Sequence, residues 1–418
     1  MTAEQIRRVA VVAGMRTPFV KAGTAFKTIG QLQLSSHAVK GLIQAFDLAP
    51  EKIDLLVWGR VLHDPRISNL AREVVFDAGL PRSIPAHMVS NNCITSIHSL
   101  VDVADAITGG RAEIGIAGGV ESMSTVPVMF SREASSIFRR AGMTKSTTEK
   151  MKILMQLRPH HFKPSPLSFQ EPSTGLTMGE HAEITAKEWG IPQKLQDEIA
   201  LRSHQRAAAA TADGRLKAEI HPLNGVDHDT IVRSDTSLEK LAILKPVFDR
   251  SESGTITAGN SSPLTDGAAG LLLMSEERAD KEGRKPLAFV KAVEFAGIDP
   301  DEGLLMAPAL TVPRILRKTG LTLADMDIVE IHEAFGAQVA CNLAAWEKGW
   351  KEEAIGTVDA ERLNPLGSSI SIGHPFAATG ARIVTTLANE MARRDSRYGL
   401  VSICAAGAMA AAVILERS

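Results

Sequence analysis

A chain of 418 residues, 44% hydrophobic and 22% charged, is long enough for two or three globular domains, and its formal net charge of −2 gives no global basic excess of the kind a nucleic-acid binder carries. Three cysteines, Cys93, Cys341 and Cys404, are too few for a disulfide scaffold and suit a reducing, cytoplasmic setting. The N-terminus shows no apolar signal core, and the longest apolar stretch, Leu400 to Leu415, is shorter than the ~20 residues of a membrane span, so it reads as buried core.

In chain order, Val9–Ala13 is a short apolar run that predicts a buried strand. Leu32–Phe46 has helical spacing and is stopped by Pro50. Ile53–Gly59 predicts a strand, Asn69–Ala78 a helix, and Ala86–Ser90 another strand that leads into Asn91-Asn92-Cys93. Ile97–Ile107 predicts a helix and Ile114–Gly119 a glycine-ended strand. This alternation indicates an α/β layered domain. After Pro127 the texture changes. Between Ser131 and Lys163 there are eight Lys/Arg against Glu133 and Glu149, and four prolines follow from Pro159. This stretch reads as an insertion. Ile191-Pro192 opens a strong helix to about Ala210. Strand–helix alternation resumes at Gly254–Gly259, and Ala268–Met274 predicts a buried strand.

The second half echoes the first. Leu287–Val293 resembles Val9–Ala13, and Met326–Ile331 resembles Ile53–Trp58 and ends in His332. Gly399–Cys404 resembles Ala86–Cys93, each delivering a cysteine toward a helix start. Three echoes in one order point to an internal duplication.

Cys93 sits after a strand and before a helix, where the positive end of the helix dipole favours a thiolate. Free cysteine is also among the most buried residue types, so packing alone accounts equally for its placement and for that of Cys404. His374, in Gly373-His374-Pro375, is an imidazole on a stiff turn at a helix start, with small residues from Ala377 to Ala381 behind it. Two cysteines and one such histidine suit acyl transfer: one thiolate is acylated, the histidine activates it, and the second thiol shuttles a proton. Gly407 and its alanine neighbours leave backbone N–H groups open to a bound oxygen. His332-Glu333 suggests zinc when read alone, but Gly336 stands where a His-Glu-x-x-His site needs its second histidine, so no metal site is expected. Dinucleotide, P-loop and Gly-x-Ser-x-Gly signatures are absent, which argues against the dehydrogenase, kinase and serine-hydrolase classes.

With those sites placed, the whole chain resembles the thiolases, the 3-ketoacyl-CoA acyltransferases, and is most similar to the β-subunit thiolases of the fatty-acid oxidation trifunctional enzyme. The resemblance is carried by Arg16-Thr-Pro-Phe19, Ser90-Asn-Asn-Cys93, Ala117–Ser122, Thr257–Ser262, Asp266–Ala269, His332-Glu-Ala-Phe335, Gly373-His-Pro375 and Cys404. It implies a five-layered α-β-α-β-α fold of two duplicated halves. Residues 1–126 with 251–275 would form the N-terminal half, 127–250 an inserted loop domain, and 276–418 the C-terminal half.

The resemblance also implies roles. Cys93 would be the acylated nucleophile, His374 the base and an oxyanion donor, and Cys404 the acid/base. His332, where many thiolases have Asn, would hold the water of one oxyanion hole, and the backbone N–H groups of Cys93 and Ala406 would form the other. Ser262 and Met178 would line the pantetheine tunnel. CoA enters as a co-substrate with no permanently bound cofactor. The expected partners are acyl-CoA, a second copy or copies of the chain as a dimer or dimer of dimers, and a hydratase/dehydrogenase subunit. The basic insertion 131–163 could meet CoA phosphates, that subunit, or a membrane surface peripherally. Ser368, Ala406 and Ala408 stand where glycines are usual, and Thr177 where short-chain members often carry His. The alternatives are a biosynthetic acetoacetyl-CoA thiolase, a ketoacyl-synthase-like condensing enzyme, and an inactive lipid carrier or scaffold.

Overall fold

The computed structural model describes residues 7–164 and 169–417. The first half runs β1 (Val9–Arg16), β2 (Val20–Lys21), α1 (Gln31–Ala45), β3 (Leu55–Gly59), α2 (Leu70–Asp77), β4 (Ala86–Val89), α3 (Thr95–Thr108) and β5 (Ile114–Glu121). Then come α4 (Arg132–Met143) and α5 (Thr147–Leu154), followed by α6 (Met178–Glu188), α7 (Gln193–Ala212), α8 (Leu238–Ala242) and β6 (Thr265–Ser275). The second half runs α9 (Glu276–Lys281), β7 (Ala288–Gly297), α10 (Pro308–Thr319), β8 (Ile328–Ile331), α11 (Gly336–Lys348), α12 (Ser369–Ile372), α13 (Thr379–Arg394), β9 (Tyr398–Ala405) and β10 (Met409–Glu416).

The strands lie in the order β4-β3-β5-β6-β1-β7-β10-β9-β8. Reading outward from the antiparallel β1–β7 seam, both sides repeat one pattern. An antiparallel neighbour comes first (β6, β10), then a second antiparallel one (β5, β9), then a parallel one (β3, β8). The duplication is therefore real, but its third echo needs correction. Cys404's strand, β9, is the counterpart of β5 and not of β4. What matches the segment leading from Cys93 into α3 and back to β5 is the segment leading from His374 into α13 and back to β9. Cys404 does not approach a helix either, because β9 turns directly into β10 as a hairpin.

Side-chain alternation along the strands sorts the core into layers. On β1, Ala10, Val12 and Met15 join the outer N-half cluster with α1 and α2, while Val9 and Val11 face a central cluster built around α3 and α13. On β10, Ala411, Val413 and Leu415 face that same centre, while Ala412 and Ile414 face α10 and α11. The result is helix, sheet, helix, sheet, helix, with α3 and α13 in the middle. These two helices meet closely: a Cβ on Gly380 would stand 2.8 Å from Ile97, and the Ala381 N–H donates to Ser96 Oγ at 2.8 Å.

The strand expected at 254–259 is a loop. Side chains take its backbone donors: Glu183 accepts from the N–H groups of Thr255 and Ile256, and Asn260 accepts from that of Thr257. By contact density, residues 126–170 form a compact unit, with α4 burying Ala134, Ile137 and Ala141 and capped by Ser131. The described parts of 1–125 and 171–418 form the other. Among the described residues no helix is long and apolar enough to cross a membrane.

Candidate active site

Cys93 lies in a tight turn, Asn92–Ile94, that runs into α3. Asn92 adopts φ 47, a left-handed conformation that asparagine tolerates, and its side chain donates to Ala406 O at 2.9 Å. That bond ties the nucleophile turn to the β9–β10 hairpin carrying Cys404. Gly407 and Ala408 both have positive φ in that hairpin turn, so the chain reverses within a few residues and keeps Ala406 beside Cys93.

His374 is held from both sides. Its N–H donates to Thr265 Oγ1 at 3.0 Å, and Gly373 before it has φ +115, with Thr265 and Ile231 where a side chain would go. Its ring Nε2 lies 3.2 Å from Cys93 Sγ, and its Nδ1 lies 2.7 Å from Thr379 Oγ1. The Thr379 hydroxyl donates to Pro375 O at 3.0 Å, the back-bond common to threonine in a first helical turn. Thr379 Oγ1 thus accepts from Nδ1–H, which leaves Nε2 as an acceptor facing the thiol.

His332 follows β8 and lies against His374, ring centroids 4.1 Å apart and planes tilted by 44°. Its Nδ1 lies 2.7 Å from Ser369 Oγ, and its Nε2 is buried without a protein partner among the described residues. The next residue, Glu333, is an anchor and not a ligand: it accepts from Ser203, Asn364 and the Ile370 N–H, fixing α12. Cys93, His332 and His374 bring their donor atoms within 4.8 Å of one another. Burial first, and the nearby buried Arg382 guanidinium after it, lower the pKa of both histidines, and that guanidinium opposes a cation there. A second grouping, Glu133, His160 and His161, lies within 126–170.

Burial governs the titration of all four groups. It pushes the Cys93 thiol up to about 12, against the pull of the Ala406 and Cys93 N–H groups that point at the sulfur. The dipole argument from sequence is therefore overruled: a helix start favours the thiolate less than full burial disfavours it. Burial, aided by Arg382, takes His374 down to about 3. His332 is lowered well below its usual value by burial, His374 and Arg382. Cys404 is raised well above its usual value by burial and by Cys93. The site thus holds two neutral thiols and two neutral imidazoles. It suits a reaction that moves protons between them only when a substrate develops charge.

The expected residues Cys93, His374, His332, Cys404 and Ala406 converge. Ser262 reaches the rim, its N–H donating to Ala334 O at 2.9 Å two residues past His332. Met178 opens α6 and packs half-buried on the outer C-half core, and among the described residues it makes no hydrogen bond to the others. Sequence reading passed over Thr379, Ser369 and Arg382 as partners of the histidines. The only sequence cue was Thr379, five residues past His374.

The N-terminal thiolase domain model matches residues 9–277, and the C-terminal thiolase domain model matches 284–417. A 3-ketoacyl-CoA thiolase of Aliivibrio fischeri (strain ATCC 700601 / ES114) is 41% identical over 100% of this chain and 97% of that protein. One from Klebsiella pneumoniae (strain 342) is 39% identical over 98% and 97%. The crystal structure of human mitochondrial 3-ketoacyl-CoA thiolase in complex with CoA superposes with TM-score 0.84 at 30% identity, covering 99% of this chain and 98% of that one. Bacillus anthracis acetyl-CoA acetyltransferase gives TM-score 0.83 at 29% identity, covering 99% and 100%.

Proposed function

The chain belongs to the thiolase family, and from that premise we propose that it is an acetyl-CoA C-acyltransferase that cleaves 3-ketoacyl-CoA with CoA, reversibly, in fatty-acid oxidation. The observation that carries this reading is the 3.2 Å approach of His374 Nε2 to Cys93 Sγ, with Cys404 buried beside Cys93. In our reading, Cys93 Sγ attacks the 3-keto carbon while His374 Nε2 takes its proton. The keto oxygen, now negative, lies against the Cys93 and Ala406 N–H groups. The bond between the α and β carbons breaks, leaving an acyl thioester on Cys93 and an acetyl-CoA carbanion. Cys404 gives that carbon its proton. The carbanion's charge sits largely on its thioester oxygen, which faces protonated His374 and His332 Nε2. CoA thiol then attacks the acyl-Cys93 as Cys404 takes the thiol proton, the tetrahedral intermediate expels Cys93 Sγ, His374 returns its proton to that sulfur, and the shortened acyl-CoA leaves in a ping-pong cycle.

A thioester intermediate is close in energy to acyl-CoA, so neither half-reaction is uphill enough to prevent reversal. A ketoacyl synthase also combines one cysteine with two histidines. The buried Cys404 favours the thiolase, because a decarboxylating enzyme needs no acid/base at the acetyl carbon. Purified protein incubated with CoA and acetoacetyl-CoA or longer 3-ketoacyl-CoA decides the matter. Consumption with a length optimum fits the proposal, and no consumption of any length sinks it.

The finer associations rest on local features. β4 is an edge strand beside the Cys93 turn, with only β3 as a strand neighbour among the described residues, which supports pairing with a second copy. Light scattering tests for a dimer or dimer of dimers. Three free cysteines fit a cytoplasmic location. The unit 126–170 exposes Met143, Met151, Met155 and Phe162 among its basic side chains, which supports peripheral contact with an anionic surface. Binding to anionic phospholipid vesicles, or to a hydratase/dehydrogenase subunit, should fall with salt and with charge reversal at Arg139, Arg140 and Lys152.

A further inference from the structure

The two ring nitrogens of His332 have opposite surroundings. Nδ1 lies 2.7 Å from Ser369 Oγ, while Nε2, completely buried, has no protein partner among the described residues. The same serine oxygen lies 3.0 Å from Arg382 Nη2, which also reaches Ser368 Oγ at 3.3 Å. Arg382, Ser369 and Ser368 are all fully buried. A guanidinium can only donate. Ser369 Oγ therefore accepts from Arg382, and its one hydroxyl hydrogen is directed to its other neighbour, His332 Nδ1. Nδ1 is then the acceptor nitrogen, and the ring proton sits on Nε2. The reverse assignment, Nδ1–H donating to Oγ, leaves the buried hydroxyl hydrogen without a protein acceptor among the described residues, at a cost of roughly 1–3 kcal/mol.

We propose that Arg382 and Ser369 are positioning residues that fix His332 as an Nε2–H donor aimed at the acetyl thioester oxygen in the carbon–carbon step. This rests on the thiolase reading of the site. It gives the two adjacent histidines opposite tautomers: Thr379 sets His374 to receive a proton from Cys93, and Ser369 sets His332 to donate a hydrogen bond. The relay also explains why a buried arginine sits under a site that must stabilise negative charge. Its cation polarises Ser369 toward His332 without touching substrate. A metal ion on His332 Nε2 would have to reverse this whole chain of donors.

The test separates the two half-reactions. Carbon–carbon cleavage of a 3-ketoacyl-CoA uses the His332 side of the site. Exchange of labelled CoA into a saturated acyl-CoA uses Cys93, His374, Cys404 and the backbone N–H groups without making a carbanion. Ser369→Ala should lower cleavage about tenfold, less than the ~10²–10³ typical of losing an oxyanion donor outright, and leave exchange within about twofold of wild type. His332→Ala should lower cleavage by more than Ser369→Ala does. If wild-type protein cleaves no 3-ketoacyl-CoA, the thiolase reading falls and the relay with it; if wild type cleaves and His332→Ala leaves cleavage intact, the thiolase reading stands and the relay is overturned. If His332→Ala impairs cleavage but Ser369→Ala does not, the relay alone is overturned. Nitrogen-15 NMR of histidine-labelled wild-type protein, with His332 assigned by its absence in the His332→Ala spectrum, needs no Ser369 variant to fold. A proton on Nε2 upholds the relay, and one on Nδ1 overturns it.

Discussion

His374 Nε2 lies 3.2 Å from Cys93 Sγ with both partners neutral, the thiol lifted to about 12 and the imidazole dropped to about 3. A preformed thiolate–imidazolium pair is thus unfavourable at rest. Proton transfer is coupled to attack, when the Ala406 and Cys93 N–H groups gain an oxyanion to bind.

This arrangement predicts an unusual pH response. The thiol keeps its proton below about 12 and the imidazole stays neutral above about 3, so neither changes charge across the working range. The kcat/KM of acyl-CoA exchange should vary less than about twofold between roughly pH 5 and 9. A bell with limbs near the ordinary histidine and cysteine values would show that burial does not govern the pair.

Thr379 is predicted to act through His374. Thr379→Val is nearly isosteric but removes the acceptor for Nδ1–H, leaving a buried donor unpaired. The ring then has less reason to keep Nε2 as an acceptor toward Cys93. Both exchange and cleavage should fall by roughly tenfold or more, with little change in the circular dichroism spectrum. A loss confined to cleavage would contradict the assignment.

The fold itself should be acid-sensitive. His204 is buried and lowered to about 4 by burial and by Arg233. Below its ordinary value the unfolded chain takes a proton that the folded chain refuses, so stability falls as pH drops from about 6.5 to 4, by up to about 3 kcal/mol for this one group. His204→Gln, whose side-chain oxygen can still accept from the Arg233 N–H, should lose less stability over that interval than wild type. Urea midpoints at each pH measure the difference, and parallel curves would refute it.

Arg16 is buried between Asp229, which it binds at 2.6 Å, and Glu219, at 2.7 Å. Together they clamp β1 to the segments around 219 and 229. Arg16→Met leaves two buried carboxylates without their cation and should cost about 3–5 kcal/mol in denaturant unfolding. A shift below about 1 kcal/mol would mean that water or another cation already compensates them.

Much of this was legible in the sequence, for physical reasons. Strand runs bounded by glycine, and helices closed by proline or glycine, place β1, β3, β5 and α1 to α3 within a few residues, because local punctuation decides them. Gly373-His374-Pro375 marks a stiff turn and Asn91-Asn92-Cys93 a strand-to-helix junction, and both proved to be turns into central helices. Cys404 was found as a residue, but its setting was not. The hairpin turn at 405–408 is made of alanine and glycine inside an apolar run, so no polar break announces it. The pairing of His374 with Cys93 as equivalent points of the two halves emerges only from strand order. Ser369 and Arg382 lie far from His332 along the chain, and their link to it is closed by tertiary packing, on which periodicity is silent.

The central claim is that Cys93 carries the acyl group, and it can be measured directly. Protein incubated with a 3-ketoacyl-CoA in the absence of free CoA, quenched in acid and digested, is analysed by mass spectrometry. The account predicts an added acyl group, two carbons shorter than the substrate acyl chain, on the peptide containing Cys93 and lost on adding CoA. Acyl label on Cys404 instead, or full turnover with Cys93 unmodified and replaceable by alanine, would contradict it.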